Sequence, residues 1–205
     1  MESVSPWFSI WIAPKATILR TVAENPKRGL WFLATLLGVL FLFNIEQSFA
    51  LGYSISLLPL IALAFFLAPP CGFFLFYLLG GALYLVGKVF GGKGSFVSIR
   101  ATLAWSLLPL LWTVLLWIIL IISFRVALFQ NFPENFPIGH TQELLLFGSL
   151  MAKLVVAIWC FVIFTNAFAE VQQFSVIRAI INIVFSAVSV IIVSLFFWWG
   201  IYLIL

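Results

Sequence analysis

Long apolar runs parted by isolated charges are the feature that most constrains this chain. Between charged residues lie stretches 29–45, 47–87, 101–124, 144–169 (with Lys153 admitted inside it) and 179–205, of 17, 41, 24, 26 and 27 residues. About 20 apolar residues cross the hydrocarbon core of a bilayer, so four of these runs read as single membrane helices. The run of 41 is longer than one crossing needs. Trimmed to 54–87 it still spans roughly 51 Å as a helix against a core of roughly 30 Å. It reads either as one span with a kinked, interfacial or re-entrant lead at 54–70, or as two short spans turning at Ala68-Pro69-Pro70-Cys71-Gly72.

The positions of Lys and Arg decide between these, because both accumulate in cytoplasmic loops. Five spans with the N-terminus inside place Lys15, Arg20, Lys27, Arg28, Lys88, Lys93, Arg100 and Arg178 on the cytoplasmic side and Arg125 alone outside; six spans divide the same residues five to four. The expected fold is therefore all-α, a polytopic bundle of five spans with its N-terminus in the cytoplasm. Residues 1–28 form a cytoplasmic or interfacial segment, and 29–205 form a single membrane domain. Trp198 and Trp199 then fall near the outer end of the last span, in an aromatic belt.

Within the first 28 residues, Ser5-Pro6-Trp7 and Ala13-Pro14 read as starts of two short helices, since proline suits the first helical turn. Trp7, Trp11, Ile18, Leu19 and Val22 are expected to rest on the bilayer, with Lys15, Arg20, Lys27 and Arg28 toward the headgroups, making an amphipathic interfacial helix. This stretch has no continuous apolar core, so it is not read as a secretory signal, and the first span is expected to insert the chain. Asn131-Phe132-Pro133 and Asn135-Phe136-Pro137 mark an outer loop.

Only 8% of residues are charged, against about a quarter in a soluble domain. Aspartate is absent and His140 is the one histidine. No G-x-S-x-G or H-E-x-x-H motif occurs, and an aspartyl intramembrane protease is impossible without aspartate. Cys71 and Cys160 read as small hydrophobes inside spans. Neither an enzyme, nor a cofactor or metal, nor a nucleic-acid partner is expected. The run from Gly87 to Gly94 nearly spells a phosphate-binding loop, but Gly94 stands where Ser or Thr is needed and a membrane helix stands where a strand is needed. Its glycines read instead as a tight cytoplasmic turn, with Lys88, Lys93 and Arg100 holding anionic headgroups.

Four groups of residues stand out as candidates for function. Lys153 lies about 14 Å inside the fourth span, where a lysine costs on the order of 2.5 to 3.5 kcal/mol; it either snorkels toward the outer surface or, with Asn166, marks a hypothetical polar pathway, and Glu46 and Glu143 are its possible partners. Ala64, Ala68, Gly72 and Gly80 recur at multiples of four and form a helix-packing strip. Glu170, Gln172 and Ser175, at the cytoplasmic end of the fourth span, read either as a polar hinge or as a docking edge for a cytosolic partner, with Ser175 placed to cap the helix that Arg178 enters. Pro59, Pro69-Pro70 and Pro109 interrupt spans, as in transporters, and Pro59 and Pro109 share the pentamer Ser-Leu-Leu-Pro-Leu.

The chain also carries Pro6-Trp7-Phe8-Ser9-Ile10-Trp11 with Pro14 and Arg20, then Asn25-Pro26, then Gly91-Gly92-Lys93-Gly94-Ser95-Phe96 with Arg100, Trp105 and Pro109, and finally Glu170-Val171-Gln172 with Phe174-Ser175. In this order around five spans, from about Trp7 to the end, they resemble the Ypt/Rab-interacting protein (YIP) family, particularly its short prokaryotic members. The resemblance implies a five-span adaptor or organiser in membrane trafficking or membrane organisation, without catalytic residues. Eukaryotic relatives work at Golgi and ER membranes and associate with Rab-type GTPases and with one another. Their long hydrophilic region before the spans has no counterpart here, so GTPase binding is left open and a bacterial plasma membrane is the expected location. Membrane lipids with anionic headgroups, a second copy of the chain, or other membrane proteins are the expected partners. The alternative is a small oligomeric transporter or channel using Lys153 and the proline-broken helices.

Overall fold

The computed structural model describes residues 5–133 and 137–202. Among these there are helices and no strands. In chain order they are α1 (Pro6–Ser9), α2 (Pro14–Glu24), α3 (Leu30–Ser48), α4 (Leu57–Val89), α5 (Phe96–Ser106), α6 (Leu111–Phe124), α7 (His140–Gln172) and α8 (Val176–Tyr202), with 3-10 turns at Leu51–Tyr53, Leu108–Leu110 and Arg125–Gln130. Five stretches are long and apolar enough to cross a membrane: α3, α4, the run from Phe96 to Gln130, α7 and α8.

Both N-terminal helices begin at their prolines, as expected. The 41-residue run is one helix. Pro59 falls in its first turn, and α4 continues through Pro69 and Pro70 without a turn. Those two residues supply no N–H to the carbonyls of Phe65 and Phe66, yet the helix carries on. Pro109 does break its span: α5 ends at Ser106, a 3-10 turn covers Leu108–Leu110 and α6 follows. The shared pentamer thus adopts two different local structures. Of the outer-loop triplets, 134–136 lie outside the described residues, as does the side chain of Trp198; Trp199 is exposed.

The chain divides into two compact units. The first comprises Met1–Leu30, Phe74–Ser106 and Val162–Leu205, and the second Trp31–Phe73 and Leu107–Phe161. In the first, α5 is almost wholly buried, and Trp105 packs against Trp7 with ring centroids 4.8 Å apart. The Trp105 indole N–H donates to the Arg28 carbonyl at 3.1 Å. Gly29 is needed beside this pair, because its φ of +68° is open to glycine and a Cβ there would sit 3.0 Å from Trp7 and 3.1 Å from Trp105. Ile18 is fully buried and Thr17 and Thr21 nearly so. This corrects the expectation that Ile18 rests on the bilayer, since it is protein core, while Trp7 is half-buried against Trp105. Among the described residues of the segment, the exposed large apolar side chains are Phe8, Trp11 and Ile12.

In the second unit, Phe43, Trp117 and Phe129 form an aromatic centre, with Trp117 stacked on Phe129 at 6.0 Å and Phe43 at 5.2 Å from Trp117. Here α3 and α4 approach until backbone meets backbone. A Cβ added at Gly38 would strike the Ala68 carbonyl, and one added at Gly72 would strike the Ala34 carbonyl. Ala64, Ala68 and Gly72 are all buried, the reciprocal small-residue packing that lets two membrane helices close.

Candidate functional site

Eight of the ten Lys and Arg residues lie in the first unit and only Arg125 and Lys153 in the second. Within the first unit Lys15, Arg20, Lys27, Arg28, Lys88, Lys93 and Arg178 are exposed. Lys15 pairs with Glu170, an exposed ion pair that contributes little to stability. One Arg20 nitrogen donates to Ser9 Oγ at 3.5 Å. Lys88 donates to the Gly92 carbonyl at 3.4 Å and lies 5.3 Å from the Tyr84 ring centroid, and Arg178 lies 5.6 Å from that of Phe174.

Arg100 departs from the headgroup role read for it. It is 5% exposed, with its guanidinium 4.8 Å from the Tyr77 ring centroid and 5.7 Å from that of Phe96. Ring faces beside the charge are how a weakly hydrated guanidinium can be accommodated in an apolar interior. Among the described residues its Nε has no hydrogen-bond partner. Gly80, the last member of the small-residue strip, meets α5 at this place: a Cβ on it would make ordinary contact, 3.4 Å, with Arg100 Cβ.

The glycine-rich run from Gly87 to Gly94 is folded around a side chain. Gln172 Oε1 accepts the Gly94 N–H at 3.0 Å, the Gln172 carbonyl accepts the Lys93 N–H at 3.1 Å, and the Gly92 N–H donates to the Gly87 carbonyl at 2.7 Å. A Cβ at Gly87 or at Gly92 would collide with the Gln172 amide. The space that a nucleotide-binding loop keeps for phosphate is thus filled by an amide of the same chain. Gln172 is 1% exposed, so it is an internal tether and cannot belong to a docking edge. The other two members of that edge are at the surface: Glu170 holds Lys15, and Ser175 Oγ accepts the Arg178 N–H at 3.3 Å as the cap of α8. Beside Gln172 stands Asn182, fully buried, whose Oδ1 accepts from Ser186 at 3.1 Å. The sequence signal for Asn182, beyond the candidate residues above, is an amide inside the apolar run 179–205.

In the second unit Lys153 is half-buried, with Nζ 4.4 Å from the Trp117 ring centroid. Among the described residues no carboxylate lies within ion-pair distance of it. Glu143 lies instead 3.8 Å from His140, and Glu46 is 3% exposed inside α3 with its Oε2 unbonded. The ring face takes the place of the expected carboxylate partners. Asn166 returns its amide to its own helix, donating to the Val162 carbonyl at 2.8 Å. Cys71 and Cys160 are free thiols, and no cluster of three or more metal-ligating side chains occurs among the described residues.

A family model described as the Yip1 domain matches residues 8–204. No curated protein and no solved structure matches the chain.

Proposed function

This chain belongs to the Yip1 domain family, and from that premise we propose that it is a non-enzymatic integral membrane protein that serves as an adaptor or organiser of the membrane. The observation that carries the reading is the gathering of seven exposed basic residues in one compact unit. On the positive-inside rule that unit faces the cytoplasm, with the N-terminus on the same side. A bacterial plasma membrane is the proposed location. Exposed lysines and arginines there meet anionic headgroups and acidic faces of membrane proteins, a second copy of the chain included. The internal uses of Arg100 and Gln172 leave Lys15, Arg20, Lys27, Arg28, Lys88, Lys93 and Arg178 as the working surface.

Cross-linking in native membranes tests this. The expected result is capture of a protein partner or of a second copy, reduced when Lys27, Arg28 and Lys93 are replaced together by glutamine. Adducts with lipid alone, or capture indifferent to the triple substitution, would overturn it. A second reading, a small oligomeric transporter or channel, draws on the half-buried Lys153 and the buried Glu46. Liposome flux above that of empty vesicles, abolished by Lys153→Met, would favour it over the adaptor.

A further inference from the structure

Where α3 gives way to α4 and α6 ends, the second unit holds a cleft of about 480 Å³ with a different character from the rest of the bundle. Tyr53, Ser54, Ser56, Leu57, Arg125 and Gln130 are among the residues that line it. Its floor is rigid. Gln130 Nε2 donates to the Gly52 carbonyl at 2.9 Å, tying the 3-10 turn at Arg125–Gln130 to the one at Leu51–Tyr53. The two turns lie so close that a Cβ at Gly52 would sit 2.9 Å from the Phe129 carbonyl. Tyr53, Ser54 and Ser56 are exposed, and so is Arg125, which has no described carboxylate within ion-pair distance.

Arg125 itself is the telling residue. Its backbone lies at φ +51°, ψ −136°, a region that side chains other than glycine's rarely occupy. A chain that needed only a turn here would place glycine, of which it has 13. It places instead one of its ten basic residues, in a conformation that works against folding. Such a conformation persists where the surrounding structure holds it, and strained residues cluster at ligand sites; here the strained residue is a cation whose cleft is also lined by Tyr53, Ser54 and Ser56. A planar fork of donors beside hydroxyls matches the oxygens of a phosphate group.

We propose that this cleft binds a phosphate monoester or diester, with Arg125 as its charge partner and Ser54, Ser56 and Tyr53 as hydroxyl donors, and that the resident ligand is a phospholipid headgroup. The cleft stands where one span begins and another ends, which is the depth of the headgroups. Leu58 and Ile122, both more than 70% exposed, lie within a turn of it along α4 and α6 and offer apolar surface to acyl chains. This site is independent of the basic residues invoked for the adaptor role, and each can fail without the other.

The test uses the purified full chain in a nonionic detergent, titrated separately with short-chain phosphatidylglycerol, the matching diacylglycerol and inorganic phosphate. Bound ligand is counted by native mass spectrometry and unfolding is followed with temperature. Phosphatidylglycerol is expected to bind and stabilise and diacylglycerol to do neither. Arg125→Gly should weaken phosphatidylglycerol about tenfold, the scale of one lost charge-assisted pair, while the lipid-free variant unfolds no earlier than wild type because its backbone is relieved. Arg125→Lys should keep part of the affinity, and Ser54→Ala, an exposed and mild change, should lower it in the same direction. Equal binding of phosphatidylglycerol and diacylglycerol, or undiminished binding by both Arg125→Gly and Ser54→Ala, would overturn the site. Binding of inorganic phosphate without phosphatidylglycerol would overturn the lipid assignment and leave a soluble phosphate as the ligand.

Discussion

Replacing Gln172 with leucine keeps nearly the volume of the side chain and removes its hydrogen-bonding end. The Gly94 N–H is buried against Oε1, so Gln172→Leu leaves a donor in the interior with no acceptor, at about 1 to 3 kcal/mol. The expected outcome is a lower unfolding temperature in detergent, with the loop at 90–95 cleaved faster by added protease. Lys153→Met predicts the opposite sign. The ring face of Trp117 returns about 1 kcal/mol to a cation, less than a lysine at mid-span costs on insertion scales. The methionine variant should therefore insert and accumulate at least as well as wild type, as quantitative blotting of membranes would report; poor accumulation would mean that the ammonium has a partner beyond the ring. Both residues were visible in the sequence as polar groups in apolar surroundings, and Ser175 was correctly placed as a cap. Their partners were not visible. Charge bookkeeping nominated Glu46 and Glu143 for Lys153 because opposite charges attract, whereas a tryptophan face bears no formal charge and is one of nine in the chain. Arg100 escaped for the same reason, its position among loop cations hiding that Tyr77 and Phe96 enclose it.

At the scale of helices, the glycines sort into two kinds that substitution should separate. Gly38 and Gly72 lie where α3 and α4 touch backbone to backbone, and a methyl group at either place strikes a carbonyl. Such overpacking costs about 1 to 3 kcal/mol. Gly81 in α4 and Gly148 in α7 would have nothing within 4 Å of an added Cβ, so alanine there gains helix propensity, about 0.5 to 1 kcal/mol. Gly38→Ala and Gly72→Ala should lower the unfolding temperature, and Gly81→Ala and Gly148→Ala should leave it unchanged or raise it. Equal effects at all four would mean that the close approach carries no energy. Three of the small-residue positions were legible from their four-residue spacing alone, because that spacing is the helix repeat itself. The continuity of α4 was not. Two successive prolines without N–H groups are the usual signal for a helix end, and here neighbouring packing keeps the helix intact, so the composition of 68–72 left a turn open that the fold does not make. At Pro109 the same signal was right.

For the molecule as a whole, charge position did more than hydropathy. Apolar runs left five or six spans open, and the placement of Lys and Arg chose five, the number of stretches in the structure long and apolar enough to cross. Part of the division into two units was hidden, because two of its four boundaries fall inside α4 and α7, where no change of composition marks them. Sidedness follows from the charges and is open to direct measurement. With the native Cys71 and Cys160 replaced by alanine, single cysteines at Ser95 and at His140, both exposed, report the two ends of the third membrane-spanning stretch. If the basic unit faces the cytoplasm, a membrane-impermeant maleimide added to intact cells should label His140→Cys and leave Ser95→Cys untouched until the membrane is opened. Inverted vesicles should reverse the pattern. Labelling of Ser95→Cys from outside would place Lys88, Lys93 and their neighbours on the wrong side for a cytoplasmic adaptor surface. The orientation and the adaptor reading therefore stand or fall on the same two residues.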